Sequence, residues 1–191
     1  MANTLSRSLE ELAALTRRVA CTDGAGAACD PAAGFVRCLD LLAGCGAAGG
    51  AVLWVGNGGS AALASHFAVD VFNAGIRSTA FNDAALLTCM GNDCGYEQVF
   101  ARPLALFANP GDVLVAISSS GRSPNILAAV AAARERGCAV ITLSGFRPDN
   151  PLRALGDWNL YAPSEAYGPV ETVHAILCHA LVDALRERRR G

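Results

Sequence analysis

The chain contains no lysine: its 15 basic residues other than histidine are all arginine. Schiff-base chemistry and the lysine of a nucleotide P-loop are therefore closed to it. Histidine is scarce as well, with His66, His174 and His179 the complete set, so any imidazole acid, base or metal ligand comes from these three. Although 52% of the residues are hydrophobic, no uninterrupted apolar run approaches membrane length. The N-terminal stretch MANTLSRSLEELAALTRRVA spreads acids and arginines through an amphipathic pattern and shows no apolar core followed by a cleavage site. No signal peptide is visible in it, and a cytoplasmic location is expected. The eight cysteines, Cys21, Cys29, Cys38, Cys45, Cys89, Cys94, Cys138 and Cys178, form no C-x-x-C pair and sit mostly among Ala, Leu and Val. Buried or partly buried thiols are expected rather than a disulfide framework. The net charge of −2 gives no electrostatic footprint for nucleic acid. The one basic cluster, Arg186 to Arg190, ends a helical pattern, where cations complement the dipole, and reads as a solvated tail.

The most informative stretch is Ala51 to Asp70, AVLWVGNGGSAALASHFAVD. A short apolar run breaks into glycines and resumes as an Ala-rich pattern, which spells strand, tight loop, helix. The spacing predicts a buried strand over Ala51 to Val55, a turn at Gly56-Asn57-Gly58-Gly59, and a helix capped by Ser60. A helix start that follows glycines offers unpaired N–H groups and a positive dipole end, so the loop invites an anion or a polyhydroxylated ligand. On that helix His66 and Asp70 stand four residues apart, on one face.

In chain order, two N-terminal helices are expected, the first with Leu9, Leu12, Leu15 and Val19 as its apolar stripe and the second with Phe35, Leu39 and Leu42, both packing on their own domain. Arg77 to Phe81 is a short strand candidate, Ala84 to Met90 a helix that stops at a Gly91-Asn92-Asp93 loop, and Tyr96 to Phe107 a helix broken near Pro103. The strand Val113 to Ile117 runs into Ser118-Ser119-Ser120-Gly121-Arg122-Ser123, and a helix follows over about 125–136. Ala139 to Leu143 and Trp158 to Tyr161 are further strands, and Val170 to Arg186 is a strongly apolar C-terminal helix. This alternation predicts an α/β fold, a three-layer doubly wound parallel sheet with ligands outside the carboxyl ends of its strands. Residues 1–191 read as a single domain, with 1–48 a helical extension and 49–191 the α/β core.

Three features carry chemistry. The serine loop offers four hydroxyls and successive backbone N–H groups at a helix start, a phosphate-sized nest, to which Arg122 either adds a charge or points away. Gly56-x-Gly58-x-x-Ala61 satisfies a dinucleotide fingerprint, for which Asp83 is the acid at the end of the next strand. Finally, His66 with Asp70 and Glu171 with His179 converge on one site if the polar positions of the last helix face the first loop.

With these motifs the chain resembles the SIS (sugar isomerase) family of phosphosugar-binding domains, and within it the phosphoheptose isomerases, which act on sedoheptulose 7-phosphate. GNGGSAALASHFAVD is similar to the family's glycine loop and histidine helix, GND at Gly91 to Asp93 to a substrate loop, and ISSSGRS to its phosphate loop. The resemblance implies a flavodoxin-like core and phosphate on Ser118, Ser119, Ser120 and Ser123. It places sugar hydroxyls on Asn57, Gly58, Gly59, Ser60, Asn92 and Asp93. It implies enediol chemistry, with His179 as acid and Asp70 where the family carries its base glutamate, and a homotetramer with sites at subunit interfaces. It also implies zinc in some members, here on His66, Asp70, Glu171 and His179. Two departures matter: Asp70 is one methylene shorter than the usual glutamate, and Glu171 stands where the family usually has glutamine. A closed shell of those four ligands leaves no position for substrate unless one moves, so either Glu171 replaces the usual base or the metal is structural or displaceable. Two other functions fit parts of the pattern: a non-catalytic phosphosugar-binding adaptor of a protein partner such as a replication initiator, and a nicotinamide oxidoreductase using the Gly56 loop. His179 argues against the first, and His66 on the loop's own helix against the second.

Overall fold

The computed structural model describes residues 2–190. Its centre is set by strands that are mostly apolar and buried almost throughout, β3 (Ala51–Gly56), β5 (Val113–Ser118) and β6 (Ala139–Ser144), as in a sheet covered on both faces. With β4 (Arg77–Ala80) and β7 (Trp158–Tyr161) they form a parallel array ordered β7-β6-β5-β3-β4. Alternate residues feed two cores. Val52, Trp54, Val113, Val115 and Ile117 pack on one face under α2 (Pro31–Ala47), α3 (Gly59–Asn73) and α7 (Tyr167–Arg190). Leu53, Val55, Leu114 and Ala116 pack on the other with α5 (Ala101–Phe107) and α6 (Pro124–Glu135). Truncating one of these fully buried side chains, as in Leu114→Ala, costs about 2–5 kcal/mol through lost burial and the void left behind.

Helix α2 begins where the local chemistry dictates: Asp30 accepts a hydrogen bond from Ala33 N–H at 2.9 Å and Pro31 takes the first helical position. The expected three-layer doubly wound sheet is present. Its details differ from the sequence reading in four places. The Gly/Ala-rich break contains an antiparallel hairpin, β1 (Ala20–Asp23) and β2 (Ala28–Cys29), which extends the sheet beyond β7. The helix α4 (Ala84–Cys94) runs straight through Gly91-Asn92-Asp93, which is therefore helical and not a loop. Tyr96–Phe107 is a 3-10 turn (Tyr96–Gln98) followed by α5, with Pro103 in the first turn of α5, where a proline is tolerated. The first helix, α1 (Ala2–Thr16), ends before Val19; it buries Leu15 and half-buries Leu12, with Val19 beyond its end packing beside Leu15, but leaves Leu5 and Leu9 exposed.

All eight cysteines are free thiols; Cys89 alone is exposed, five are buried, and Cys29 and Cys94 are half-buried. Burial pushes Cys38 up to about 12 and Cys138 up to about 11, so these thiols are packing groups with little thiolate character. Among the described residues no helix is long and apolar enough to cross a membrane.

Candidate active site

Chain direction places the site. After β3 the chain moves outward to β4, whereas β5 lies on the opposite side of β3, so the sheet has its switch point between β3 and β5. There the carboxyl ends of two strands open side by side, with Gly56 paired to Ile117, and the glycine and serine loops leave from adjacent positions. Ser60 is not the cap of α3. Gly58 holds that position at φ 55° and ψ −122°, a conformation suited to glycine, and Ser60 lies buried one residue inside the helix. Asn57 is fixed across the crevice. Its Nδ2 donates to Asn125 Oδ1 at 2.9 Å, and its Oδ1 accepts from Asn125 Nδ2 at 2.8 Å and from the Tyr96 hydroxyl at 3.0 Å.

The crevice holds a cavity of about 100 Å³ walled by Ser118, Ser119, Ser120 and Ser123 together with Asn57 and Ser60. Ser118 Oγ lies 3.3 Å from Ser123 Oγ and accepts from Gly121 N–H at 3.2 Å, while Arg122 N–H donates to Ser120 Oγ at 3.3 Å. Ser119 Oγ is buried with no hydrogen-bond partner among the described residues. An unpaired buried hydroxyl costs about 1–3 kcal/mol, and a ligand oxygen in the cavity would remove that cost. Among the described residues no cation lines the space. Arg122 turns away and meets Asp149 at 3.4 Å, which resolves the two orientations open to it.

Two residues of α7 complete the walls, Tyr167 and Glu171. A Cβ on Gly59 would come within 2.6 Å of Glu171 Oε1, so the carboxylate lies directly against the first turn of α3 and depends on glycine there. Its charge faces the positive end of that helix.

Further along the same two helices, His66, Asp70 and His179 bring donor atoms within 4.8 Å of one another. The rings of His66 and His179 have centroids 5.4 Å apart, and His179 meets Phe67 edge-on at 4.7 Å. Asp70 Oδ2 faces His66 Nε2 at 3.4 Å, while Asp70 Oδ1 accepts from Arg186 Nη2 at 3.0 Å. Two imidazoles and a carboxylate are a donor set that zinc accepts, and three protein ligands leave the fourth position open. Glu171 is not in this group. It lies eight residues before His179 on α7, about 12 Å along a helix axis, so the expected four-ligand set divides into a three-residue cluster and a separate carboxylate in the serine cavity.

Some expected residues fall elsewhere. Asn92 and Asp93 are exposed on α4, bonded to each other at 2.8 Å, and do not reach the cavity. Asp83 caps α4 by accepting from Leu86 N–H at 2.9 Å, so the acid needed for a dinucleotide ribose is already engaged. Arg186 is no solvated tail residue, since it clamps Asp70, and Arg188 likewise binds Asp40 at 2.7 Å. Asn125, Tyr96, Tyr167 and Arg186 were not singled out from sequence. Only Arg186 carried a signal, because it follows His179 by seven residues, two turns along one face. His174 is no ligand: fully buried, its Nε2 bonds Ser144 O at 3.0 Å, and desolvation lowers its pKa to about 4 despite that bond.

The SIS domain model matches residues 31–145, more than half of the chain and inclusive of both loops. The chain belongs to the SIS domain family. Its relatives include a phosphoheptose isomerase of Solidesulfovibrio magneticus, 41% identical over 142 residues, covering 71% of this chain and 69% of that protein. A phosphoheptose isomerase of Aromatoleum aromaticum is 38% identical over 166 residues, covering 81% of this chain and 82% of that one. Among solved structures, a phosphoheptose isomerase from Neisseria gonorrhoeae superimposes with a TM-score of 0.85 at 31% identity, over 96% of this chain and 98% of that one.

Proposed function

We propose that this SIS-domain protein, a single domain over residues 1–191, is an aldose–ketose isomerase. It interconverts sedoheptulose 7-phosphate and D-glycero-D-manno-heptose 7-phosphate through an enediol. The observation that carries this reading is the partnerless Ser119 hydroxyl in a serine-lined cavity that also contains an acid side chain. In this reading the phosphate sits on Ser118, Ser119, Ser120 and Ser123, held by hydroxyls and loop N–H groups with no cation. Asn57 and Ser60, next to the glycine loop, take sugar hydroxyls, and Asn92 and Asp93 do so only if the assembly or a movement of α4 brings them closer.

The chemistry is proton transfer beside a carbonyl. A carboxylate, from the pair Asp70 and Glu171, removes the proton from the carbon next to the carbonyl, and His179 serves the oxygens. A positioned base supplies about 10²–10⁴-fold, so the developing oxyanion needs its own stabilisation. His66, Asp70 and His179 would hold a zinc ion, which when bound supplies Lewis-acid polarisation. The exposed Leu5 and Leu9 on α1, and Leu106 and Phe107 at the end of α5, support an oligomer, read here as a homotetramer. A cytoplasmic location accords with a phosphorylated substrate.

The test is incubation of the purified protein with sedoheptulose 7-phosphate, with and without a chelator, followed by NMR. Appearance of the aldose supports the reading. Binding of the sugar phosphate without conversion points to a non-catalytic adaptor.

A further inference from the structure

Resting on the isomerase reading, we propose that Asn150 is a positioning residue for the serine loop: from outside the cavity its amide holds the Gly121 turn in the form that grips the phosphate. Asn150 stands in the loop after β6, buried at 3% exposure, and does not line the cavity. Its Nδ2 donates to Gly145 O at 3.1 Å and to Arg147 O at 2.8 Å. Both amide hydrogens are thereby used, and the orientation of the amide is fixed, because its oxygen could not face two carbonyls. That oxygen is aimed at Gly121, where an added Cβ would run into Asn150 Oδ1 and lie 2.9 Å from Asn150 Cβ. Among the described residues no donor meets Oδ1. The Gly121 N–H is turned into the serine loop instead, to Ser118 O at 3.0 Å and Ser118 Oγ at 3.2 Å. A buried acceptor without a partner is a cost to the fold, and here the side chain that bears it is wedged against the phosphate loop.

Other contacts secure the same turn. Leu152 N–H, two residues beyond Asn150, donates to Gly121 O at 3.2 Å. Gly145, whose carbonyl Asn150 holds, also lies against the loop, since an added Cβ there would come within 3.1 Å of Ser119 O. Gly121 itself has φ 62°, a left-handed value that glycine reaches without strain. Asn150 therefore ties Gly145, beside Ser119, to Gly121, which is bonded to Ser118, and a shift of this turn displaces two of the four hydroxyls that the phosphate would meet. A site that binds through directional hydrogen bonds, with no cation among its described walls, depends on those hydroxyls staying within about 0.5 Å of their places.

The experiment compares wild type, Asn150→Ala, Asn150→Ser, Gly121→Ala and the double variant Asn150→Ala with Gly121→Ala. It measures kcat and KM on sedoheptulose 7-phosphate, the dissociation constant of inorganic phosphate by calorimetry, and the melting temperature. In Asn150→Ala, KM and the phosphate constant should rise together, about tenfold, with kcat within about threefold of wild type. Asn150→Ser, whose hydroxyl can bond the carbonyl three residues back, should show a smaller rise in both. Gly121→Ala should raise both constants at least about tenfold in the wild-type background and by a smaller factor in Asn150→Ala, where the side chain it meets is gone. A melting temperature that falls while both constants stay at the wild-type values overturns the assignment. So do a loss confined to kcat, effects of the two substitutions that simply multiply, and failure of both Asn150 variants to fold. Wild-type protein that binds phosphate but never converts the sugar phosphate overturns the isomerase reading alone, and the phosphate constants still decide the role of Asn150; wild type that binds no phosphate overturns both.

Discussion

Arg186, in the last turns of the C-terminal helix, donates to Asp70 at 3.0 Å across 116 residues of sequence, tying that helix to the one that follows the glycine loop. Both side chains are largely shielded, at 32% and 19% exposure, so the pair is worth more than a surface ion pair. Replacing Arg186 with methionine leaves Asp70 charged and without its partner. Urea denaturation should show a loss of about 1–2 kcal/mol, with Arg186→Lys recovering part of it.

Ser119→Ala separates binding from folding. The variant removes a buried hydroxyl with no partner in the free protein, so its unfolding midpoint should stay level or rise. Its KM for the sugar phosphate should rise about tenfold, the loss of one hydrogen bond to a charged group. Arg122→Ala, whose guanidinium meets Asp149 outside the cavity, should change KM less than about threefold.

Gly59→Ala tests the close approach of two helices. Alanine favours an α-helix by up to about 1 kcal/mol over glycine, yet here its Cβ would meet the Glu171 carboxylate. Thermal stability should therefore change little while kcat falls at least tenfold, because the acid side chain must move.

The buried imidazole of His174 sets a pH dependence of stability. Its folded pKa, lowered to about 4 by desolvation, lies below the unfolded value of 6.5. The unfolded chain therefore binds the proton first as pH falls. The contribution of the neutral ring is complete above pH 6.5 and is lost on descending toward pH 4, by about 3 kcal/mol. Urea unfolding at pH 7 and pH 4.5 should show a steeper loss in the wild type than in His174→Gln.

Sequence made the central sheet legible because β3, β5 and β6 are unbroken apolar runs, each followed by small polar residues. The serine nest was visible for the same reason. The β1–β2 hairpin was not, since Ala20–Asp23 and Ala28–Cys29 are too short and too rich in small residues to show a period, and their pairing comes from β7. The Gly91-Asn92-Asp93 triplet has turn chemistry, but packing of Leu86, Leu87 and Met90 on the core carries α4 through it. Helical spacing puts His66 and Asp70 on one face, whereas their convergence with His179 depends on α7 packing its polar positions toward α3. The separation of Glu171 does not follow from spacing either, because it depends on how the rotation of α7 aims two residues eight positions apart at different parts of α3.

The most direct test is turnover of sedoheptulose 7-phosphate in D₂O with the aldose examined by proton NMR. Proton transfer through a side chain that exchanges with solvent places deuterium on C2 of the aldose, and this is the result expected. Aldose whose C2 hydrogen is retained entirely from the ketose, with no deuterium entering at any stage of conversion, would contradict a carried proton that exchanges with solvent and with it this account.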